Sequence, residues 1–577
     1  MKDLPPDAGD DSHQNPALAE SSARLDIKDE LSPYAGRWIA RVGRRIVGQG
    51  GTPEQALHSA RASRFREQPE VSYVPISSQI PFRNLLDEIL KILPRDLPLY
   101  LVGGAVRDLL LEKVVHDLDF ALPFAALETA RRVADHLHAA YYPLDKERGT
   151  GRVIWRDQAG QKMLLDFALF RGEDLEADLR ARDFTINAMA LDLRQNMALL
   201  DPLGGAADLH AKLLKACAPS SMEDDPVRIL RAVRLAAEYH LHIQKETRQK
   251  MRQASDLLAG VTSERKRDEL FRILEGPQPA TCLRALEMIG ALPGVLPEIL
   301  ALRDLPQSPP HVLDAWRHTL DVLARLEMVL SALAEVYYPD AASNLYTGEL
   351  SLRLGRYRQQ ITQYLATELS EGRNLRGLLF LAALYHDVGK PVTAQTDAAG
   401  RIRFLNHDQV GANIISQRGR GLHLSRPEID WLSQVVRNHM RPILLAKIES
   451  GLSRKAIYRF FRATGTTGVG TILLSLADSW ATYGAELSQD VWRKQVDTAR
   501  ALLEAWWENP QEIVQPPAWI NGHDLITNLG LQSGPELGEL LEKVREAQAM
   551  GLIRNREQAL DYARSLLANQ DSAGSKG

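Results

Sequence analysis

Asp117 and Asp119 stand two residues apart in DLDFAL, an apolar run over 117–122. Side chains alternate along a β-strand, so the two carboxylates face one side and can share divalent cations. Just upstream, LYLVGGAVRD ends an apolar strand at Gly103 and Gly104 and opens a short helix. Glycine lets a backbone approach a triphosphate closely, and the free N–H groups of a helix N-terminus suit anions. Arg107 adds a forked cation for phosphate oxygens. Each fragment alone also reads as an ordinary strand-to-helix turn or a solvated strand end. Their order in one short segment points to a phosphate cradle feeding a pair of metal-binding carboxylates.

The segment 99–122 resembles the head of the class II tRNA nucleotidyltransferase and bacterial poly(A) polymerase family, and further matches follow in that family's order. KMLLDFALF, 162–170, is a third β run that sets Asp166 as a third carboxylate beside Asp117 and Asp119. In RDFTINAMA, 182–190, the resemblance assigns Arg182, Asp183 and Asn187 to the triphosphate and ribose of the incoming nucleotide. The family commonly has a second arginine where this chain has Ala181. DPLGGAADL, 201–209, looks like a flexible segment whose Gly204 and Gly205 let the head reshape between additions.

DDPVRILRAVRLAA, 224–237, resembles the signature with which the family reads the incoming base, giving Asp224, Asp225 and Arg228. The family often has Glu where Asp224 stands. A carboxylate accepts from the exocyclic amine of C or A, and a guanidinium donates to a ring nitrogen or carbonyl. Asp-Asp-Pro is also a good helix start, and capping can coexist with base reading. Arg231 and Arg234 recur at helical spacing and either pack or meet RNA phosphates. SERKRDELFRIL, 263–274, is expected to brace that helix through Glu264 and Arg265.

A second constellation of different chemistry lies downstream: His318, the pair His386 and Asp387, His407, His439 and Asp478, each in or beside an apolar helical run. The order resembles the HD-domain metal-dependent phosphohydrolases, which implies a divalent site of Mn, Fe, Co or Ni, or less selectively Mg²⁺. The extra His407 and His439 leave room for a second metal. Lys390 is either a phosphate contact or a solvated helix end.

The positioning elements follow from pattern. The chain of 577 residues is long enough for several domains and carries a net charge of −4, so RNA binding must rest on local basic patches rather than on a globally basic surface. Only Cys217 and Cys282 occur, which argues against a disulfide scaffold and fits a reducing cytosol. The absence of a long uncharged apolar run and of a signal h-region points to a soluble, cytoplasmic protein without a membrane partner. The expected architecture is α+β: a nucleotidyltransferase head with a mixed β-sheet and flanking helices, then a long all-α neck, HD body and tail. In order these are a disordered 1–31, a small ββα unit at 32–67 with Thr52 capping its helix, a linker at 68–81, the head at 81–219, a helical neck at 220–306, the HD unit at 309–508 and a helical tail at 515–577.

The resemblance implies a template-independent enzyme that adds C, C and A to tRNA 3′ ends from CTP and ATP. Mg²⁺ is expected at Asp117 and Asp119, with Asp166 orienting the primer hydroxyl. The rivals are a poly(A) polymerase or a CC- or A-only enzyme, an HD phosphohydrolase acting on nucleotides or RNA 2′,3′-cyclic ends with the head as a binding module, and a non-catalytic RNA-binding protein, against which the complete carboxylate set argues. Oligomeric state is not legible.

Overall fold

The computed structural model describes residues 34, 36–51, 53–62, 68–74, 80, 82–115, 117–157, 160–195, 197–336 and 344–574. The expected disorder of 1–31 and the cap at Thr52 lie outside them. Among the described residues, those of 1–228 with 239–250 form one compact unit, and those of 229–238 with 251–577 form another.

The first unit is built on a mixed seven-stranded sheet. Its strands are β4 (Tyr100–Val102), β5 (Asp117–Leu122), β6 (Ala140–Asp145), β7 (Thr150–Arg156), β8 (Lys162–Leu169), β9 (Ala190–Asp192) and β10 (Ala198–Leu200), in the order β10-β9-β4-β5-β8-β7-β6. Only β5 and β8 run parallel; the remaining pairs are antiparallel. Alternation decides the two faces. Leu118, Phe120 and Leu122 of β5 and Leu165 and Phe167 of β8 point into a core closed by Leu85, Leu86 and Ile89 of the helix Arg83–Ile92. Phe120 and Phe167 are register partners and stack with ring centroids 4.6 Å apart. Each such buried side chain contributes about 1.5–3 kcal/mol. The intervening residues Asp117, Asp119 and Asp166 are thereby turned to the other face.

Ahead of this sheet stands the small ββα unit, with β1 (Arg37–Val42), β2 (Arg45–Gly50) and the helix Pro53–Ala62. The segment read as a linker contributes a third strand, β3 (Glu70–Val74), which pairs antiparallel with β1 from Arg37↔Val74 to Arg41↔Glu70. Its partner is distant in sequence, so the short run EVSYV carried little strand signal by itself. Tyr73 ties the unit to the edge of the large sheet: its hydroxyl accepts from Leu199 N at 3.1 Å and donates to Met197 O at 3.4 Å.

The second unit is helical. Helices Ala315–Ala332, Leu375–Tyr385, His407–Gly421, Arg426–Asn438 and Gly468–Tyr483 carry the second constellation. The tail helices Gly522–Leu529, Pro535–Ala549 and Arg556–Gly574 close around Leu525, Leu540, Val544 and Ala559. Pro535 opens its helix directly after Gly534, where its missing N–H costs nothing. Among the described residues, no helix is long and apolar enough to cross a membrane.

Candidate active site and metal centre

In the head, register does the assembling. Asp119 on β5 lies opposite Asp166 on β8, and Asp166 lies opposite Arg152 on β7. Asp117 is exposed and Asp119 and Asp166 are half-buried, all on one face of the sheet. Burial pushes the Asp119 carboxyl up to about 6, an effect that Arg182 and Arg152 oppose and that Asp166 and Asp117 reinforce. A crowd of carboxylates at one spot is relieved by a cation. These residues therefore fit a divalent ion on chemical grounds.

Arg152 was not singled out in the sequence. Its guanidinium grips Asp166 with two bonds, Nε to Oδ1 at 2.8 Å and Nη2 to Oδ2 at 2.7 Å. No motif flags it, because its role arises from cross-strand register.

Gly103 turns the chain from β4 into the helix Gly104–Leu110 with φ +78°. A Cβ there would sit 3.1 Å from Arg182 Nη1 and 3.2 Å from Asp119 Oδ2, so the glycine lets Arg182 and the carboxylates converge. Arg182 is aimed by Asp178, a second unanticipated residue, whose buried carboxylate accepts Nε at 3.1 Å and Nη2 at 2.9 Å.

Arg107, expected to face phosphate, is instead 7% exposed and engaged within the protein. It donates to Asn187 Oδ1 at 2.6 Å, to the Tyr239 hydroxyl at 2.6 Å and to both oxygens of Asp108. Asn187 in turn donates to Asp183 Oδ1 at 3.1 Å. In this arrangement Arg107 positions the Asp183 and Asn187 turn. Arg228 is also buried, and it donates to the carbonyls of Ala181, Arg182 and Ser221, with Nε 3.8 Å from Asp225 Oδ2. It fastens the Arg182 segment beside Asp225.

The segment 201–209, read as flexible, is held here by buried hydrogen bonds. Asp201 is 1% exposed and accepts from Gly205 N at 2.7 Å and Ala206 N at 3.0 Å. Asp208 accepts from Thr185 Oγ1 at 2.7 Å. A Cβ at Gly205 would come within 1.9 Å of Thr185 O, so this glycine serves close packing.

In the helical unit, Glu269 braces Arg231 at 3.0 Å and Arg234 at 3.0 Å, from the same segment whose Glu264 and Arg265 were expected to brace that helix. Glu264 instead lies 3.6 Å from His423.

The six residues of the second constellation converge. His318 Nε2 is 3.1 Å from Asp478 Oδ1, and His386 Nε2 is 3.2 Å from Asp387 Oδ2. His407 Nε2 and His439 Nε2 lie 3.5 Å and 4.0 Å from the other oxygen of Asp387. Two candidate ligand groups result, His318 with His386 and Asp387, and Asp387 with His407 and His439. Three rings are set the same way: Nδ1 of His386, His407 and His439 meets the carbonyl of Ala383, Phe404 and Val436. That contact fixes the proton on Nδ1 and turns the Nε2 lone pair inward, as a metal ligand requires. The donor set fits one or two divalent ions.

Lys390 does not face solvent. It is 3% exposed with Nζ 2.6 Å from Asp387 Oδ2. His311, seven residues before His318, was missed; its ring meets that of His318 edge-on at 5.1 Å, and burial pushes its pKa down to about 4.

Family models match along the chain: "Poly A polymerase head domain" at 99–215, "Probable RNA and SrmB- binding site of polymerase A" at 240–302, "HD domain" at 356–483, "tRNA nucleotidyltransferase domain 2 putative" at 498–563, and a family of unknown function at 29–77. The CC-adding tRNA nucleotidyltransferase of Thermus thermophilus is 32% identical over 79% of this chain and 91% of its own length. The A-adding tRNA nucleotidyltransferase of Deinococcus radiodurans is 33% identical over 80% and 93%. The chain belongs to the class II tRNA nucleotidyltransferase family. It is therefore an enzyme with nucleotidyltransferase activity and an HD domain. The fold of this nucleotidyltransferase is shared with a CCA-adding enzyme solved with ATP, at TM-score 0.54 and 21% identity over 84% of this chain and 94% of that one. It is shared too with the Thermotoga maritima CCA-adding enzyme complexed with tRNA, at TM-score 0.51 and 20% identity over 85% and 96%.

Proposed function

We propose that this nucleotidyltransferase extends tRNA 3′ ends with C, C and A, taking CTP and ATP. The observation that carries the reading is the convergence of Asp117, Asp119 and Asp166 on one sheet face beside Gly103 and Arg182. Asp117 and Asp119 would hold Mg²⁺, which when bound supplies Lewis acidity at the primer oxygen and the triphosphate. Asp166, clamped by Arg152, orients the terminal 3′-hydroxyl, which attacks the α-phosphorus in line while pyrophosphate leaves. Gly103, Gly104 and Arg182 cradle the triphosphate. Asp183 and Asn187, set by Arg107, hold the ribose. Asp225, with Arg228 fastened beside it, selects C and A, because U and G present a carbonyl where the carboxylate needs an amine.

A second reading stops short of the full triplet. It is favoured by four relatives that each match most of this chain, three CC-adding and one A-adding. A tRNA transcript lacking its last three nucleotides, offered each triphosphate singly and then CTP with ATP, separates the readings. Three additions ending in A, abolished by Asp119→Asn, support the first. Two cytidines and no adenosine, or a single adenosine added only to a companion transcript ending in CC, support the second, and a long A tail overturns both. The HD constellation is proposed as a divalent centre of the metal-dependent phosphohydrolase type.

A further inference from the structure

The side chains that cross the sheet at Asp119 form a row that continues past the carboxylates. Val102, Asp119, Asp166, Arg152 and Tyr142 are successive register partners on β4, β5, β8, β7 and β6. Residues directly opposite one another in adjacent strands point to the same face. At about 4.8 Å per strand, Tyr142 lies about 10 Å from Asp166 and about 14 Å from Asp119. It is 53% exposed, whereas its neighbour Tyr141 packs against the core on the other face. The same face also carries half-buried Ile154 and Leu164 and exposed Arg156 and Lys162.

The row has two ends of different chemistry. Beyond Asp119 lie Gly103 and Arg182, the phosphate-binding end. Beyond Asp166 along the row lie Arg152, which grips it, and then the Tyr142 ring, while Lys162 and Arg156 face each other four residues away along β8 and β7. An in-line displacement needs its nucleophile and its leaving group on opposite sides of the reacting phosphorus. With pyrophosphate leaving toward Arg182, the attacking RNA end must come from the Tyr142 side. An exposed aromatic ring with basic residues on the same sheet face suits single-stranded RNA, because every base offers a π-face to stack on.

We infer that Tyr142 is a stacking platform for a base of the RNA 3′ end just upstream of the reacting nucleotide, with Arg156 and Lys162 drawing in its backbone. This rests on the RNA-extending reading above and names the seat of its primer. Tyr142 is a binding residue; it touches no reacting atom.

The test uses the full-length enzyme with a tRNA transcript lacking CCA, and measures KM for RNA and for CTP separately in wild type, Tyr142→Ala, Tyr142→Phe and Tyr142→Trp. In Tyr142→Ala, KM for RNA rises about tenfold or more, equivalent to about 1.4 kcal/mol, while KM for CTP stays within twofold. Phe and Trp restore RNA binding because they keep the ring. Thermal melting of all four coincides, since the side chain is exposed. An unchanged KM for RNA in Tyr142→Ala overturns the inference, as does a Phe variant as weak as Ala. Wild-type protein that extends neither this transcript nor one ending in CC overturns the underlying reading as well, so the two failures are distinguishable.

Discussion

Gly205→Ala separates a packing glycine from a hinge. The added methyl would lie 1.9 Å from Thr185 O, a backbone atom that cannot swing aside. Ordinary contact begins at 3.4 Å, so either the Thr185–Asn187 turn or the helix Gly205–His210 must move by about 1.5 Å. Overpacking of this kind costs about 1–3 kcal/mol, and replacing Gly in a helix returns at most about 1 kcal/mol. For a folded unit of this size each kcal/mol lowers Tm by about 2–4 °C. The displaced turn carries Asn187, and a misplacement of about 1 Å costs on the order of 100-fold in rate. Gly204→Ala is the control: at φ +74° with nothing within 4 Å, it stores strain without pushing the turn. Steady-state kinetics with CTP and calorimetric melting read both variants. Gly205→Ala is expected to raise KM for CTP at least about tenfold, while Gly204→Ala leaves it within twofold. A Gly205→Ala enzyme with wild-type Tm and wild-type KM would refute the packing account, and selective damage by Gly204→Ala would restore the hinge.

Three further outcomes are expected. Burial pushes Cys217 and Cys282 up to about 12 from 9; at pH 8 their thiolate fraction falls about 1000-fold, so iodoacetamide labelling followed by mass spectrometry should be that much slower in the native protein than in the unfolded chain. The carboxyl of Glu269 pays for burial but is held below its ordinary 4.5 by Arg234 and Arg231. A depressed folded pKa stabilises above the unfolded value and is lost as pH falls through the folded one. Glu269→Gln should therefore cost about 1.5–3 kcal/mol at pH 7, with the gap in Tm from wild type narrowing below pH 4.5. Asp387 offers an oxygen to each histidine pair, so Asp387→Ala should strip Mn or Co from the HD centre, read by elemental analysis after dialysis against wild type in parallel.

What the sequence made legible was whatever local periodicity determines. Asp117 and Asp119 share a face because they are two apart on a strand, and the histidines of the HD set announce themselves by residue type beside apolar helical runs. What stayed hidden depends on which strands become neighbours. Arg152 acquires its role only when β7 lies against β8, and Asp178 only when its helix carries it to Arg182. The same limit explains Arg107: a phosphate-binding sequence context did not reveal that Tyr239, far along the chain, would take up one of its nitrogens. β3 was missed because a five-residue strand is specified more by its partner than by itself.

The large sheet has two edges, and they are treated differently. β10 is covered by Tyr73, whereas among the described residues β6 ends the sheet with no strand paired on its outer side. An open edge invites pairing with another chain and hence self-association. β6 carries its own deterrents: Pro143 lacks an N–H to offer, the register breaks between Pro143 and Asp145, and Lys146, Glu147 and Arg148 crowd the turn with charge. The strand can thus leave one face bare without becoming a template for aggregation.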